Sequence, residues 1–130
     1  MDANTSADVP RALDTVQQSH ASWLLILDDA ALSSSQETIV EFAMKQKLPT
    51  VFHVRSAVLN GGLLAFGPSE SQMYELTASY LTKILKGAKP ADLPVEQPTK
   101  FELVINLKTA KAIGLTIPPS LLQRADQMIE

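Results

Sequence analysis

Apolar positions along the chain fall into short continuous runs separated by stripes of helical spacing. Trp23-Leu24-Leu25-Ile26-Leu27 is the longest run. Its length predicts a strand buried on both faces of a parallel sheet, with Trp23 at its start as a packing residue. Leu48–Phe52, Leu63–Phe66 and Phe101–Asn106 predict three more strands. A first helix is expected from Asp8-Val9-Pro10, with Pro10 in the first turn, where a missing N–H costs nothing, fading near His20. Ser33-Ser34-Ser35 offer an N-cap for a helix through Lys47, with Ile39, Val40, Ala43 and Met44 as its buried stripe. His53 to Asn60 reads as a short helix or turn closed by Gly61-Gly62. Ser69 is expected to cap a long helix with Met73, Leu76, Tyr80, Leu81, Ile84 and Leu85 as core stripe, ended by Gly87. Lys89 to Pro98 holds three prolines and predicts an extended crossing segment. Lys108 to Ile113 reads as a short helix stopped by Gly114, and Pro118-Pro119 opens a last helix through Met128. Helix, strand, helix, strand with short connections makes the fold class α/β, with right-handed crossovers and a parallel sheet.

Composition narrows the function classes. The chain has 130 residues, 45% of them apolar and 19% charged, which fits one folded domain rather than disorder. The net charge is −3 and no basic run occurs, so nucleic acid is not an expected partner. Cysteine is absent, which removes disulfides and thiolate metal sites. His20 and His53 lack ligand spacing, so no metal is expected, and Gly87-Ala88-Lys89 lacks the flanking pattern of a phosphate loop. No cofactor is implied. The polar, acidic stretch Met1 to Asp8 reads as no signal peptide, so the chain as written is expected to stay in the cytoplasm. Trp23–Leu27 is too short to span a bilayer.

In open α/β sheets, ligands sit beyond the carboxyl ends of the strands. That rule selects Asp28 and Asp29 after the first strand, His53 and Arg55 after the second, and Phe66 at the end of the third. Asp29 can accept a hydrogen bond from a ligand ammonium, or serve as turn and N-cap for the next helix. Arg55 can clamp a carboxylate through two parallel hydrogen bonds, or form a surface ion pair. His53 is a ligand contact or a plain polar loop residue, and Phe66 a pocket wall or a packing residue. Gly61, Gly62 and Gly67 are expected to serve backbone geometry.

The run Lys83-Ile84-Leu85-Lys86-Gly87-Ala88-Lys89-Pro90-Ala91-Asp92-Leu93-Pro94-Val95-Glu96-Gln97-Pro98-Thr99-Lys100-Phe101-Glu102-Leu103-Val104-Ile105-Asn106-Leu107-Lys108-Thr109-Ala110-Lys111 resembles a signature of ABC-transporter substrate-binding proteins. Gly114 to Leu122 continues it, and Leu48-Pro49-Thr50-Val51, Arg55, Gly61-Gly62 and Gly67-Pro68 match upstream. The resemblance implies a type I periplasmic-binding fold, in which two α/β lobes joined by hinge strands trap a solute. It makes this chain the C-terminal portion: a partial doubly wound parallel sheet, with residues 1–60 in the second lobe and 61–130 supplying the crossover, closing elements of the first lobe and C-terminal helices. By the same resemblance Asp29 matches an acid of the family's turn, Arg55 matches an arginine, and Phe66 stands where tyrosine is frequent.

The implied function is that of a solute-binding component, not an enzyme, with half its cleft and little power to bind tightly alone. Its partners would be a small organic solute, amino-acid-like among the options, and an ABC permease, at an extracytoplasmic location. A stand-alone truncated product without activity is the alternative, and its uncovered sheet face is expected to dimerise or bind hydrophobic dye. A phospho-receiver is a further alternative, since Leu25-Ile26-Leu27-Asp28-Asp29 resembles a receiver's acidic pair. His53 and Gly67 stand where such a domain needs its phosphoacceptor aspartate.

Overall fold

The computed structural model describes residues 5–130. The first half of the acidic N-terminal stretch, residues 1–4, lies outside the described residues. Five strands form a single sheet in the order β1 (Leu24–Leu25), β2 (Thr50–Phe52), β3 (Leu64–Pro68), β4 (Phe101–Asn106) and β5 (Gln127–Ile129). The pairs β1–β2 and β2–β3 are parallel, β4 runs antiparallel to β3, and β5 is parallel to β4. Seven helices connect them: α1 (Val9–Gln18), α2 (Ala30–Ser34), α3 (Gln36–Gln46), α4 (Arg55–Leu59), α5 (Glu70–Leu85), α6 (Leu107–Ile113) and α7 (Pro119–Leu122). The α/β class holds, with a sheet that is mostly parallel rather than wholly so.

The sheet advances in one direction from β1 to β3. Right-handed crossovers taken in one direction put their helices on one face. Leu24, Phe52, Ala65 and Val104 share that face through the strand register. With Ile26, they pack against Val9 and Leu13 of α1, Ile39 and Val40 of α3, and Ala57 and Val58 of α4. A second cluster joins Leu63, Leu103, Ile105, Ala110 and Ile117 at the β4 end. On the opposite face Leu64 packs against this second cluster, while Trp23, Leu25, Leu27 and Phe66 stay bare.

This corrects the reading of Trp23–Leu27 as buried on both sides. Pairing extends over the hydrogen bonds Leu24 N–H to Pro49 O and Ile26 N–H to Val51 O. Trp23, Leu25 and Leu27, however, are 57%, 53% and 63% exposed on the bare face. The run is apolar on both sides, yet only the Leu24 and Ile26 side meets helices.

The helix expected after Ser33–Ser35 is α3, with Ser35 at its N-cap position and Lys47 at its C-cap, and an additional short helix, α2, precedes it with Asp29 as its cap. Two other expectations change. α5 carries no buried residue. Met73, Leu81, Ile84 and Leu85 of its expected core stripe are exposed, because the helix leaves the sheet after Pro68 and no other element covers it. The last helix stops at Leu122 rather than Met128. Asp126 docks on β4, its N–H donating to Leu103 O while Leu103 N–H donates to its carboxylate, and this pulls Gln127–Ile129 into the sheet as β5.

Gly87 and Gly114 end their helices with φ of 102° and 76°, as expected of stop residues. The buried side chains of Asn106, Thr109 and Thr50 are paired. Asn106 donates to Val58 O and accepts from Thr109 N–H, Thr109 donates to Gly61 O, and Thr50 accepts from Leu63 N–H. These bonds tie α4, α6 and the β3 entry together at the end of the sheet opposite the carboxyl ends of β1–β3.

Candidate functional site at the carboxyl ends of the strands

Because β1, β2 and β3 are parallel, their carboxyl ends lie side by side, and the residues just beyond them converge. Asp28 follows β1, His53 follows β2, and Gly67-Pro68 end β3. β4 runs the other way, so its first residues, Phe101 and Glu102, stand beside Pro68 and Gly67.

Two adjoining cavities open here. One, of about 290 Å³, is lined by His53, Arg55, Gly67, Glu70, Tyr74 and Glu102 among others. The second, of about 470 Å³, is lined by Asp28, Gln36, His53, Val54, Met73 and Tyr74 among others. His53, Pro68, Glu70 and Tyr74 border both, so the two compartments form one cleft divided by these side chains.

His53 sits at the centre. Its Nε2 lies 3.0 Å from Asp28 Oδ1, with the imidazole largely covered and the Asp28 side chain 82% exposed. A carboxylate only accepts, so this contact places a proton on Nε2. Nδ1 is buried without a hydrogen-bond partner among the described residues. The carbonyl of the same residue abuts Gly67, where a Cβ would lie 1.9 Å from the oxygen. Only glycine lets β3 pass this close to the turn after β2.

Arg55 begins α4 and lines the smaller cavity. It has no ion-pair partner among the described residues, which leaves its guanidinium available to a carboxylate. Across that cavity stand Glu70 and Glu102. The Glu102 carboxylate accepts from the Ser69 hydroxyl at 2.6 Å and has Lys100 Nζ at 3.7 Å. The compartment therefore offers one cation and two carboxylates over a short span, a pattern suited to a solute with both charges. The other compartment adds the apolar surface of Val54 and Met73.

Asp29 does not line either cavity by its main interaction. Its Oδ1 accepts from Ala31 N–H at 2.8 Å and Leu32 N–H at 3.3 Å, capping α2. Phe66 points to the bare sheet face and stacks on Phe101 with ring centroids 5.6 Å apart. Strand alternation accounts for this, since Ala65 and Gly67 occupy the cavity side. Thus Asp28, His53 and Arg55 come together, while Asp29 and Phe66 serve neighbouring positions. The strand-end rule missed Glu70, Tyr74 and Glu102. Glu70 and Tyr74 lie on the first turns of a helix read as core-facing, and Glu102 enters only because β4 is antiparallel. Among the described residues no group of three or more acidic or histidine side chains could hold a metal ion. No helix of the described residues is long and apolar enough to cross a membrane.

Comparison with known proteins gives a consistent result. Residues 1–129 match the family described as ABC transporter substrate binding protein. The crystal structure of a conserved domain protein from Vibrio cholerae superimposes with a TM-score of 0.89 at 31% identity, over 97% of this chain and 42% of that one. An ABC domain from Streptococcus pneumonia, solved in complex with L-Trp, gives a TM-score of 0.87 at 30% identity, over 98% of this chain and 44% of that one. An uncharacterized protein of Rickettsia prowazekii is 29% identical over 102 residues, 78% of this chain and 33% of its own length. The chain thus spans less than half the length of these relatives.

Proposed function

The chain belongs to the ABC transporter substrate binding protein family, and from this premise we propose that it forms the C-terminal part of a solute receptor serving an ABC permease outside the cytoplasmic membrane. The observation that carries the reading is the convergence of Asp28, His53 and Arg55 with Glu70, Tyr74 and Glu102 around one divided cleft. Such a cleft binds by complementary charge and shape. Its groups suit a small organic solute, and an amino-acid-like one places its carboxylate at Arg55 and its ammonium near the acids. Asp29 acts by orienting the loop that carries Asp28, and Phe66 by packing behind the strand ends.

In this reading residues 1–60 belong to the second lobe, and 61–130 hold the crossover and closing elements. α5 is the element directed toward the first lobe. Its lack of any buried residue supports this, as does its departure from the sheet between β3 and β4. With the facing lobe absent the cleft has one wall, so the isolated chain binds weakly, and no chemical turnover is part of its role.

Calorimetric titration of L-tryptophan and the other common amino acids into the longer protein that contains this chain tests the proposal. Saturable binding that weakens at least roughly tenfold in Arg55→Ala, as loss of a charge-assisted pair predicts, supports it. Binding indifferent to Arg55 and Glu102, or conversion of the solute to product, sinks it.

A second reading rests on the bare apolar face of Trp23, Leu25, Leu27 and Phe66. Taken alone, the chain covers this face by pairing with a second copy. Sedimentation velocity decides: a dimer abolished by Leu25→Lys supports the pairing, and a monomer at every concentration rejects it.

A further inference from the structure

Ser69 stands where a serine ordinarily caps a helix, yet its side chain makes no cap hydrogen bond to α5. The residue is 1% exposed. Its hydroxyl instead donates to Glu102 Oε1 at 2.6 Å, thirty-three residues away in sequence. A hydroxyl has one proton, and the carboxylate takes it. The 2.9 Å contact with Ser71 therefore has the Ser71 hydroxyl donating to Ser69 Oγ. The Ser69 N–H donates to Lys100 O as well. One buried residue thus grips β4 through its side chain and the residue just before β4 through its backbone, at the point where the chain leaves the sheet.

Beyond that point the contacts change character. Gln72 binds the returning segment twice, donating to Thr99 Oγ1 at 3.1 Å and accepting from Lys100 N–H at 2.9 Å. The Tyr80 hydroxyl donates to Pro94 O. These bonds fasten α5 to the segment that returns from it. No side chain of α5 is buried against the sheet. The helix and its return segment therefore form an arm whose hydrogen bonds to the sheet lie at the β3–β4 ends.

We propose that Ser69 is the clasp of this arm: its hydroxyl, diverted from capping to the Glu102 carboxylate, sets the direction in which α5 leaves the sheet. The short charge-assisted bond is buried on the serine side, where water competes poorly. Breaking it leaves the arm held by the Ser69 N–H bond to Lys100 O and by exposed side-chain bonds. Glu102 also lines the smaller cavity, so the same bond positions a carboxylate of the cleft and orients the arm. The inference concerns the arm alone and holds whichever solute the cleft takes.

The chain has no cysteine among the described residues, so spin labels at Lys45→Cys on α3 and Leu85→Cys at the end of α5 report one distance. The clasp predicts that Ser69→Ala and Glu102→Ala each broaden this distance distribution. Ser69→Thr and Glu102→Gln, which keep a donor and an acceptor, leave it narrow. Amide exchange at Met73 and Lys100 rises roughly tenfold in Ser69→Ala, as expected for loss of one charge-assisted hydrogen bond, while Ile105 is unchanged. Combining Ser69→Ala with Glu102→Ala adds nothing to either alone. An unaltered distribution in Ser69→Ala overturns the proposal. So does faster exchange spread evenly over Met73, Lys100 and Ile105, which marks a general loss of packing.

Discussion

Gly67 and the His53 carbonyl are in such close contact that a Cβ on Gly67 would lie 1.9 Å from the oxygen. The contact brings the end of β3 against the turn that carries His53 and Arg55, and the cleft is built on that approach. Gly67→Ala forces β3 or the His53 turn to move. Overpacking of this kind costs about 1–3 kcal/mol, and a backbone obstacle puts it at the upper end or beyond. Gly114→Ala is the comparison. A Cβ there meets nothing within 4 Å, and φ is 76°, so the cost is the left-handed backbone alone, about 1–2 kcal/mol. Urea denaturation of both variants separates the effects. Equal losses would mean the Gly67 approach relaxes freely.

Asp28 and Asp29 are neighbours in sequence with different work. Asp29 accepts two backbone N–H groups at the start of α2, whereas Asp28 makes an exposed contact to His53. Asp29→Ala is expected to lower stability by roughly 0.5–2 kcal/mol and Asp29→Asn by a few tenths, since asparagine keeps the acceptor. Asp28→Ala costs about 0–1 kcal/mol, the range of exposed ion pairs. The order reverses in solute binding by the longer protein, where Asp28 matters more. Thermal melts and titrations of the same three variants check both halves, and an Asp28 variant less stable than the Asp29 variant contradicts the assignment.

The pair also shows what was legible in the sequence. Strand ends are readable from apolar runs, so the acids after Leu27 and the His53–Arg55 pair after Phe52 were found. Which acid caps the helix depends on where the helix begins. The three serines at 33–35 mark the start of α3, capped at Ser35, but nothing in them announces the short α2 that Asp29 caps. Local patterns also report a residue's apolarity but not whether anything covers it. Met73, Leu81 and Leu85 have core spacing, and Trp23, Leu25 and Leu27 strand spacing, yet both sets stay bare because no element among the described residues packs over them. The Asp126 bonds to β4 are long-range in sequence, and no helix-stop signal before Gln127 announced the fifth strand.

Asn106 is buried and bridges two elements, donating to Val58 O at 3.1 Å and accepting from Thr109 N–H at 3.0 Å. Asn106→Ala takes the side-chain acceptor from the buried Thr109 N–H and one of two donors from Val58 O, which keeps the Gly61 N–H. The expected loss is about 1–3 kcal/mol, the desolvation penalty of the one group left unpaired plus the lost bond to Val58 O. Thr109→Val removes one bond, that to Gly61 O, and should cost about 1 kcal/mol. Denaturation midpoints that rank Thr109→Val above Asn106→Ala in severity would show that the Gly61 link, not the asparagine, joins α6 to the β3 entry.

The bare face makes the last prediction. Trp23 is the chain's one tryptophan, and it is 57% exposed beside Leu25 and Leu27. Its emission in the isolated chain, at concentrations where it is monomeric, should lie near the water-exposed limit and be quenched readily by acrylamide. A hydrophobic dye should bind the stripe that runs from Trp23 to Phe66, since contiguous apolar surface of this kind is rare on monomers. Leu25→Lys should remove most dye binding while changing stability by no more than about 0.5 kcal/mol, because its side chain faces solvent. In the longer protein the same substitution meets whatever covers the face, and there it should cost roughly 2 kcal/mol or more, as burial of an unpaired charge does. A blue-shifted, unquenched Trp23 in the isolated chain, with Leu25→Lys already destabilising, would mean that the face is covered without the rest of the protein.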